Sequence, residues 1–282
     1  MGRFTTADGL SLRYMDTVEN GGADDPAILC LAGLTRNSGD FRFVLPFLAD
    51  YRVIRMDYRG RGQSDFAGDP ASYSVPQEAQ DAIALMDHLG LERATILGTS
   101  RGGLIAMLLA ATRPDRLTGA ILNDIGPELA PGGLDRIKEY VGRRPRFRSY
   151  DEAAEGLAVL NAAQFPGVTL ARWRLHAENI WAEQPGERLA LRYDPRLRDA
   201  LLGQTGAVPV PDLWPLFDAL AAMPLTVLRG ANSDLMSADL LARMQARAPA
   251  LRAYTVPDRG HVPFLDEAVA LEGILSHLKE HA

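Results

Sequence analysis

The strongest constraint on the fold of this chain is a repeated alternation between short apolar runs and amphipathic helical patterns. Helical spacing of apolar residues is found at residues 77–89, 102–112, 238–248 and 263–281. The apolar runs between them are typical of strands, and they fall at residues 10–15, 27–31, 52–56, 94–97, 119–123, 225–228 and 251–256. Such alternation is typical of βαβ units around a mainly parallel sheet. We therefore predict an α/β fold with helices on both faces of one sheet.

The alternation is interrupted between residues 126 and 210. This segment has no strand-like run, is rich in Arg and Glu, and shows helical stretches at residues 149–163 and 169–183. The length of 282 residues would also allow two separate domains, at about 150 residues each. Because strands resume after the segment, a helical insertion between two strands of one sheet is the simplest account. We predict a core of residues 1–125 and 211–282 and an inserted helical cap of residues 126–210.

Charge and hydropathy narrow the possible partners. The formal net charge is −6, from 30 basic and 36 acidic residues, and a nucleic-acid binder needs clustered positive surface instead. The longest apolar run, residues 104–111, is far shorter than the ~20 residues that span a bilayer, and the N-terminus lacks a signal-peptide pattern. We expect a soluble cytoplasmic protein with a small-molecule partner and neither a nucleic-acid nor a membrane partner; the oligomeric state stays open.

The chain has one cysteine, Cys30, inside an apolar run. An intrachain disulfide is therefore impossible, and no zinc site can be built from several cysteines. We expect a buried structural thiol, so a nucleophile must be sought among the serines.

The segment around Ser100 contains the pattern Gly-x-Ser-x-Gly between an apolar strand and an apolar helix. A nucleophilic serine on such a tight strand-to-helix turn projects its hydroxyl from the edge of the sheet. Gly98 and Gly102 lack the Cβ atoms that would collide where the helix folds back over the strand. The strand and helix on either side favour a nucleophile over a structural glycine turn.

A serine nucleophile needs a base, and the base needs an orienting carboxylate. Among the histidines, only His261 falls in a short loop after a late strand. Two candidates for this carboxylate follow strands at the edge where open parallel sheets build their sites: Asp234 after residues 225–228, and Asp124 after residues 119–123. We favour Asp234 as the acid and keep Asp124 as its rival.

The chain order Ser100, Asp234, His261 resembles that of the α/β-hydrolase superfamily, the serine hydrolases with a helical cap. Residues 31–34 (Leu-Ala-Gly-Leu) resemble the oxyanion loop of that family, with Ala32 where many relatives have His, and residues 57–65 resemble its Asp-x-Arg-Gly-x-Gly-x-Ser loop. The resemblance implies a mostly parallel eight-stranded sheet. It also implies that the backbone N–H groups of Leu34 and Arg101 hold the oxyanion, and that no metal or organic cofactor is needed.

The same resemblance implies acyl transfer on a carboxylic ester or lactone of a small, partly apolar molecule. The Arg101 side chain is expected to form a structural ion pair with Asp57 or Asp124. Substrate choice should lie in the cap, and the candidate pocket residues are Arg36, Phe165, Trp173, His176 and Trp181.

Two alternatives stay open. Hydrolysis of a carbon–carbon bond in a diketone or keto acid would use the same triad with polar cap residues, for which Arg172, Arg174 and His176 are candidates. A non-catalytic ligand receptor is less favoured, because all three triad residue types are present at suitable positions.

Overall fold

The structure is a computed structural model that describes residues 1–17, 27–130, 132–205 and 211–281. The strands in these ranges are β1 (Gly2–Thr5), β2 (Ser11–Asp16), β3 (Ala27–Leu31), β4 (Arg52–Met56), β5 (Ala94–Thr99), β6 (Leu117–Asn123), β7 (Trp181–Ala182), β8 (Ala190–Leu191), β9 (Leu225–Gly230) and β10 (Arg252–Val256). The described strands include an eight-stranded sheet in the order β1-β2-β4-β3-β5-β6-β9-β10. Only β1 with β2 and β2 with β4 pair antiparallel in it. The predicted mostly parallel eight-stranded sheet is confirmed.

Helices lie between these strands, as the alternation predicts. Their bounds are α1 (Val75–His88), α2 (Arg101–Thr112), α3 (Gly133–Tyr140), α4 (Tyr150–Leu160), α5 (Leu170–Ile180), α6 (Leu197–Thr205), α7 (Trp214–Ala221), α8 (Ala238–Arg247) and α9 (Ala268–His281). Helix α2 is apolar on most sides because it packs against β5, α1 and α7 at once. Helix α1 begins where the Ser74 side chain accepts a hydrogen bond from the Gln77 N–H, a common N-terminal cap.

The central strands β3, β4 and β5 are buried at every residue. Parallel strands covered by helices on both faces have this uniform burial, and it explains why the strands appear in the sequence as continuous apolar runs. Cys30 lies on β3 and is fully buried, and burial raises the pKa of its thiol to about 12. The parallel strands end at one edge of the sheet, where the candidate site residues lie.

The sheet neighbours β6 and β9 pair in parallel, and helices α3 to α7 lie between them in the sequence. Helices α4 and α5 match the two helical stretches expected there. The expectation that this segment has no strands is wrong, since β7 and β8 form a two-stranded antiparallel ribbon. Two residues per strand are too few to give a periodic signal. The expected cap boundary at residue 210 lies outside the described residues.

In the described parts of the chain, no helix is both long and apolar enough to cross a membrane.

Candidate active site

Ser100 lies at the turn between β5 and α2 with φ of 49° and ψ of −109°, a backbone conformation that side-chain-bearing residues rarely adopt. A Cβ on Gly98 would lie 2.7 Å from the carbonyl carbon of Gly102, and a Cβ on Gly102 would collide with the backbone carbonyl of Leu31. The close approach of β3, β5 and α2 therefore requires both glycines of the motif. The strained turn presents the Ser100 hydroxyl at the carboxyl edge of the sheet.

His261 lies in the loop that follows β10, and its Nε2 is 3.0 Å from the Ser100 Oγ. The end of β9 packs directly against this loop. A Cβ on Gly230 would lie 2.5 Å from the carbonyl oxygens of Arg259 and Gly260, so only glycine fits there. The structure thus brings together the serine and the histidine that the sequence singles out.

The carboxylate at the other ring nitrogen of His261 belongs to Asp124, whose Oδ2 is 2.8 Å from Nδ1. Asp124 is fully buried and accepts two more hydrogen bonds, from the Gly230 N–H at 2.8 Å and from the Ser233 hydroxyl at 2.5 Å. A carboxylate with three donors accepts from each of them, so Nδ1 of His261 carries a proton. Its Nε2 is then the acceptor for the Ser100 hydroxyl.

The prediction that Asp234 orients His261 is wrong. The Asp234 Oδ2 accepts a hydrogen bond from Gln164 Nε2 at 2.8 Å and forms an ion pair with Arg136, and both partners come from the segment between β6 and β9. Asp124 follows β6 directly, whereas Asp234 lies four residues beyond the last residue of β9. Over that distance the chain turns away from the imidazole, so Asp234 connects the helical segment to the core instead.

The loop with residues 32–34 lies against the nucleophile, since a Cβ on Gly33 would be 3.9 Å from the Ser100 Cβ. Gly33 accepts a hydrogen bond from the Arg36 N–H at 3.1 Å. In the described part of the chain, the backbone N–H groups of Leu34 and Arg101 have no backbone hydrogen-bond partner. Arg101 is the first residue of α2, and N–H groups at a helix N-terminus favour negative charge.

The Arg101 side chain forms a structural ion pair, but the expected partners Asp57 and Asp124 are wrong. Its Nε pairs with the buried Glu78, and its Nη2 donates to the Tyr73 carbonyl oxygen at 3.0 Å. Asp124 is occupied by His261, and Asp57 accepts hydrogen bonds from backbone N–H groups within its own loop and the loop after β3.

Arg36 lies at the edge of the site and is held by other side chains. Its Nε donates to the Asp40 Oδ2 at 2.7 Å, and its Nη1 and Nη2 lie 3.2 and 3.4 Å from the ring nitrogens of His176. Burial and the neighbouring Arg36 charge hold the pKa of His176 well below its ordinary value, so the ring is neutral. A cavity of about 20 Å³ opens among these side chains, Thr99, Asn123 and Phe264, which is room for about one water molecule.

Aromatic side chains from the helical segment meet the His261 loop. Phe165, Trp173 and Phe264 pack with ring centroids 5.6 to 5.9 Å apart, and His176 lies 5.6 Å from Trp173 and 5.8 Å from Phe264. Three of the predicted pocket residues therefore lie together. Phe264 was not among them, because the Pro before it suggests a helix start, whereas α9 begins only at Ala268.

Trp181 does not join this group, so the prediction that it lines the pocket is wrong. Its ring packs 5.5 Å from that of Phe147, in a separate cluster with Ala153, Ala177 and Leu189. Trp181 follows the end of α5 on β7, so its side chain leaves the helix face that Trp173 and His176 share.

Among the residues that the structure describes, no group of three or more His, Cys, Asp or Glu side chains is arranged to hold a metal ion.

A family model described as the alpha/beta hydrolase fold matches residues 26–268. The chain is 39% identical to a 3-hydroxybutyrate-oligomer hydrolase from Cupriavidus necator over 258 residues, which are 86% of this chain and 87% of the relative. It is 45% identical to a putative carbamate hydrolase from Caulobacter segnis over 233 residues, 80% of this chain and 81% of the relative. A crystal structure of an alpha/beta hydrolase from Novosphingobium aromaticivorans is similar with a TM-score of 0.89 and 40% identity, covering 99% of this chain and 97% of that one.

Proposed function

The chain belongs to the alpha/beta hydrolase fold family, and we propose that it is a serine hydrolase that cleaves a carboxylic ester or lactone through an acyl-enzyme on Ser100. One observation carries the proposal: Ser100 Oγ, His261 and Asp124 form a continuous series of contacts of 3.0 and 2.8 Å. A serine hydroxyl is a weak nucleophile at neutral pH. This arrangement supplies both the base and the carboxylate that orients it.

In the first half of the proposed reaction, His261 Nε2 takes the proton of Ser100 as Oγ attacks the carbonyl carbon of the ester. The C=O π electrons move to the oxygen, and the N–H groups of Leu34 and Arg101 stabilise that oxyanion. Asp124 accepts the Nδ1–H throughout and stabilises the imidazolium that forms. The oxyanion then collapses, the alcohol leaves with the proton from His261, and an acyl-Ser100 ester remains.

In the second half, a water molecule gives its proton to His261 Nε2 and attacks the acyl carbon. The same two N–H groups stabilise the second oxyanion. Ser100 leaves as its alcohol with the proton from His261, and the carboxylic acid product is released.

We infer a substrate class of short esters of small hydroxy acids. The similarity to the 3-hydroxybutyrate-oligomer hydrolase supports this class. The lining of the cavity is compatible with it, because the rings of Phe43 and Phe264 suit a short alkyl chain, while Arg36 and the neutral His176 offer polar contacts for an oxygen-bearing group. Arg36 as the ligand of a substrate carboxylate is part of this proposal.

The carbon–carbon hydrolase alternative has weaker support. It needs polar cap residues that are free to manage an enolate. Of the three cap candidates, only His176 lines the cavity beside the site. Arg172 donates to Asp266 at 2.5 Å and Arg174 donates to Asp151 at 2.7 Å, and neither lines that cavity.

A substrate panel tests the proposed function. It contains p-nitrophenyl butyrate, the linear dimer of 3-hydroxybutyrate, its methyl ester, a butyrolactone, an amide and a 1,3-diketone, with the Ser100→Ala variant as the control. We expect turnover of the esters by the native chain and a loss on the order of 10⁶ in the variant. Cleavage of the diketone without cleavage of the esters would favour the carbon–carbon hydrolase alternative.

A variant tests the role of Arg36. If Arg36 binds the carboxylate of the substrate, Arg36→Met should raise the KM for the dimer and leave the KM for its methyl ester unchanged.

A further inference from the structure

A buried group of three charged side chains lies behind the site and takes no part in the proton transfers. Glu78 and Arg61 are fully buried, and Arg61 Nη1 lies 2.8 Å from Glu78 Oε1. The other oxygen, Oε2, pairs with Arg101 Nε. One carboxylate is thus shared by two guanidinium groups, which leaves one positive charge in excess within the group. We call Arg61, Glu78 and Arg101 the arginine–glutamate triad.

The arginine–glutamate triad is bonded to both residues whose backbone N–H groups the proposed function assigns as oxyanion donors. Arg101 carries one of them on its own backbone, and its side chain is fixed by Glu78. The other belongs to Leu34, in the loop of residues 32–34. Three successive carbonyl oxygens of that loop each accept a hydrogen bond: from the Tyr58 hydroxyl at 3.1 Å, from the Arg36 N–H at 3.1 Å and from Arg61 Nε at 3.0 Å.

These three bonds fix the direction of the Leu34 N–H. A peptide unit is planar, and its N–H points opposite to its C=O. The Gly33 carbonyl bonds to the Arg36 N–H, which sets the orientation of the Leu34 N–H in the same peptide unit. The peptide units before and after it are held by Tyr58 and Arg61, so the unit cannot rotate by changes in the neighbouring dihedral angles.

We propose that Arg61 and Glu78, with Tyr58, are positioning residues that preorganise the oxyanion hole. The inference rests on the proposed function, because it assigns Leu34 and Arg101 as donors. Preorganised donors and charges in a buried site stabilise a developing oxyanion without reorganisation during the reaction.

The same loop contains a matched control. Arg59 is also fully buried and also pairs with carboxylates, Asp81 at 2.6 Å and Asp8 at 2.9 Å. In the part of the chain that the structure describes, its side chain forms hydrogen bonds and ion pairs with Asp8 and Asp81, and none with residues 32–34 or Arg101. Arg59→Lys and Arg61→Lys therefore each remove a buried guanidinium and keep the charge, but only the second breaks a bond to the oxyanion loop. A lysine at position 61 can still face Glu78, but it cannot also replace Nε at the Leu34 carbonyl.

The experiment compares the two variants on p-nitrophenyl butyrate and with a trifluoromethyl ketone. The ketone forms a hemiketal with Ser100, in which the new Oγ–C bond leaves an oxyanion in the hole and the serine proton on His261. The corresponding secondary alcohol forms no such adduct and reports binding alone. Thermal unfolding of each variant shows that it is folded.

For Arg61→Lys we expect kcat to fall about 10- to 100-fold, since complete loss of one oxyanion donor typically costs about 10²–10³ and this donor is displaced rather than deleted. KM and the affinity for the alcohol should stay unchanged, and the inhibition constant of the ketone should rise by the same factor as kcat falls. Arg59→Lys should keep kcat within about threefold, as expected for a change outside the reacting groups.

Equal kcat values for the two variants, or a loss that appears equally in the affinity for the alcohol, would overturn the inference. If Arg61→Lys does not fold, Tyr58→Phe is the variant that tests the inference. Loss of the hydrogen bond from the Tyr58 hydroxyl should lower kcat and the affinity for the ketone without changing KM. Unchanged kinetics would refute the positioning role. If the native chain hydrolyses no ester, or Ser100→Ala hydrolyses it equally well, the proposed function itself has failed.

Discussion

Replacing Asp124 by Asn should nearly abolish turnover while the fold persists. The carboxylate of Asp124 accepts from His261 Nδ1, the Gly230 N–H and the Ser233 hydroxyl. An asparagine has one acceptor oxygen, and with that oxygen on the Gly230 N–H its NH₂ group faces the imidazole. The ring must then carry its proton on Nε2, which points a donor at Ser100 and removes the base.

The same substitution in a serine-protease triad lowers kcat about 10⁴-fold through the wrong tautomer, which corresponds to about 5 kcal/mol at 1.36 kcal/mol per factor of ten. We expect a loss of that order here. The assay is kcat for p-nitrophenyl butyrate at saturation, with thermal unfolding as the check that the variant is folded.

Asp234→Asn is the matched control, because Asp234 also follows a strand at this edge. It loses an ion pair with Arg136, whose side chain is 60% exposed, and exposed pairs contribute about 0–1 kcal/mol. Its kcat should stay within about threefold of that of the native chain. A large loss in Asp234→Asn with near-native activity in Asp124→Asn would refute the assignment of Asp124 and restore the sequence-based choice.

Three further predictions concern the core. Gly102→Ala should destabilise the fold by about 3 kcal/mol in thermal unfolding, because the added Cβ collides with the Leu31 carbonyl. Gly68→Ala is the control and should be nearly neutral, because a Cβ there has no atom within 4 Å. Burial lowers the pKa of His277 to about 4 from 6.5, so the unfolded chain binds more protons between these pH values and stability falls as the pH drops. The loss should be about 2 kcal/mol between pH 7 and pH 5, and urea unfolding of His277→Gln should lack this contribution; equal pH dependence of both proteins would contradict it. Cys30 should react with a thiol reagent at pH 8 only after unfolding, and fast labelling of the native chain would show that it is not buried.

Much of the fold follows from local pattern alone. Strands β3 and β4 agree with their predicted bounds, because every residue in them is buried and the apolar run is as long as the strand. Strand β1 is short and alternates with exposed residues, so it gives no such run. Helices α3 and α6 lie among charged residues, where the apolar face is too narrow to stand out.

The choice between Asp124 and Asp234 illustrates what the sequence cannot supply. Both follow strands, and those strands are neighbours in the sheet, so the edge of the sheet is predictable but not the carboxylate that faces the imidazole. Ser233 and Gly230 bind Asp124, which leaves the next residue, Asp234, directed toward the helical segment. One local signal distinguishes the two carboxylates: Asp124 follows its strand without an intervening residue, whereas three residues separate Asp234 from the end of β9.

The arginine–glutamate triad cannot be predicted from the sequence. Residues 57–65 resemble a motif of the family, but the spacing of that motif does not reveal that Arg61 contacts Leu34 and Glu78. Those contacts join the loop after β4, helix α1 and the loop after β3, and such long-range packing leaves no periodic signal in the sequence.

The central claim is that Ser100 is an activated nucleophile, and labelling of the native chain with a fluorophosphonate, followed by peptide mass spectrometry, tests it most directly. Phosphonylation forms a bond from Ser100 Oγ to phosphorus as fluoride leaves and His261 takes the proton. We predict one modified site, Ser100, in the native chain and no labelling in His261→Ala or after denaturation. A folded native chain that stays unlabelled, or that carries the label on another residue, would contradict the account.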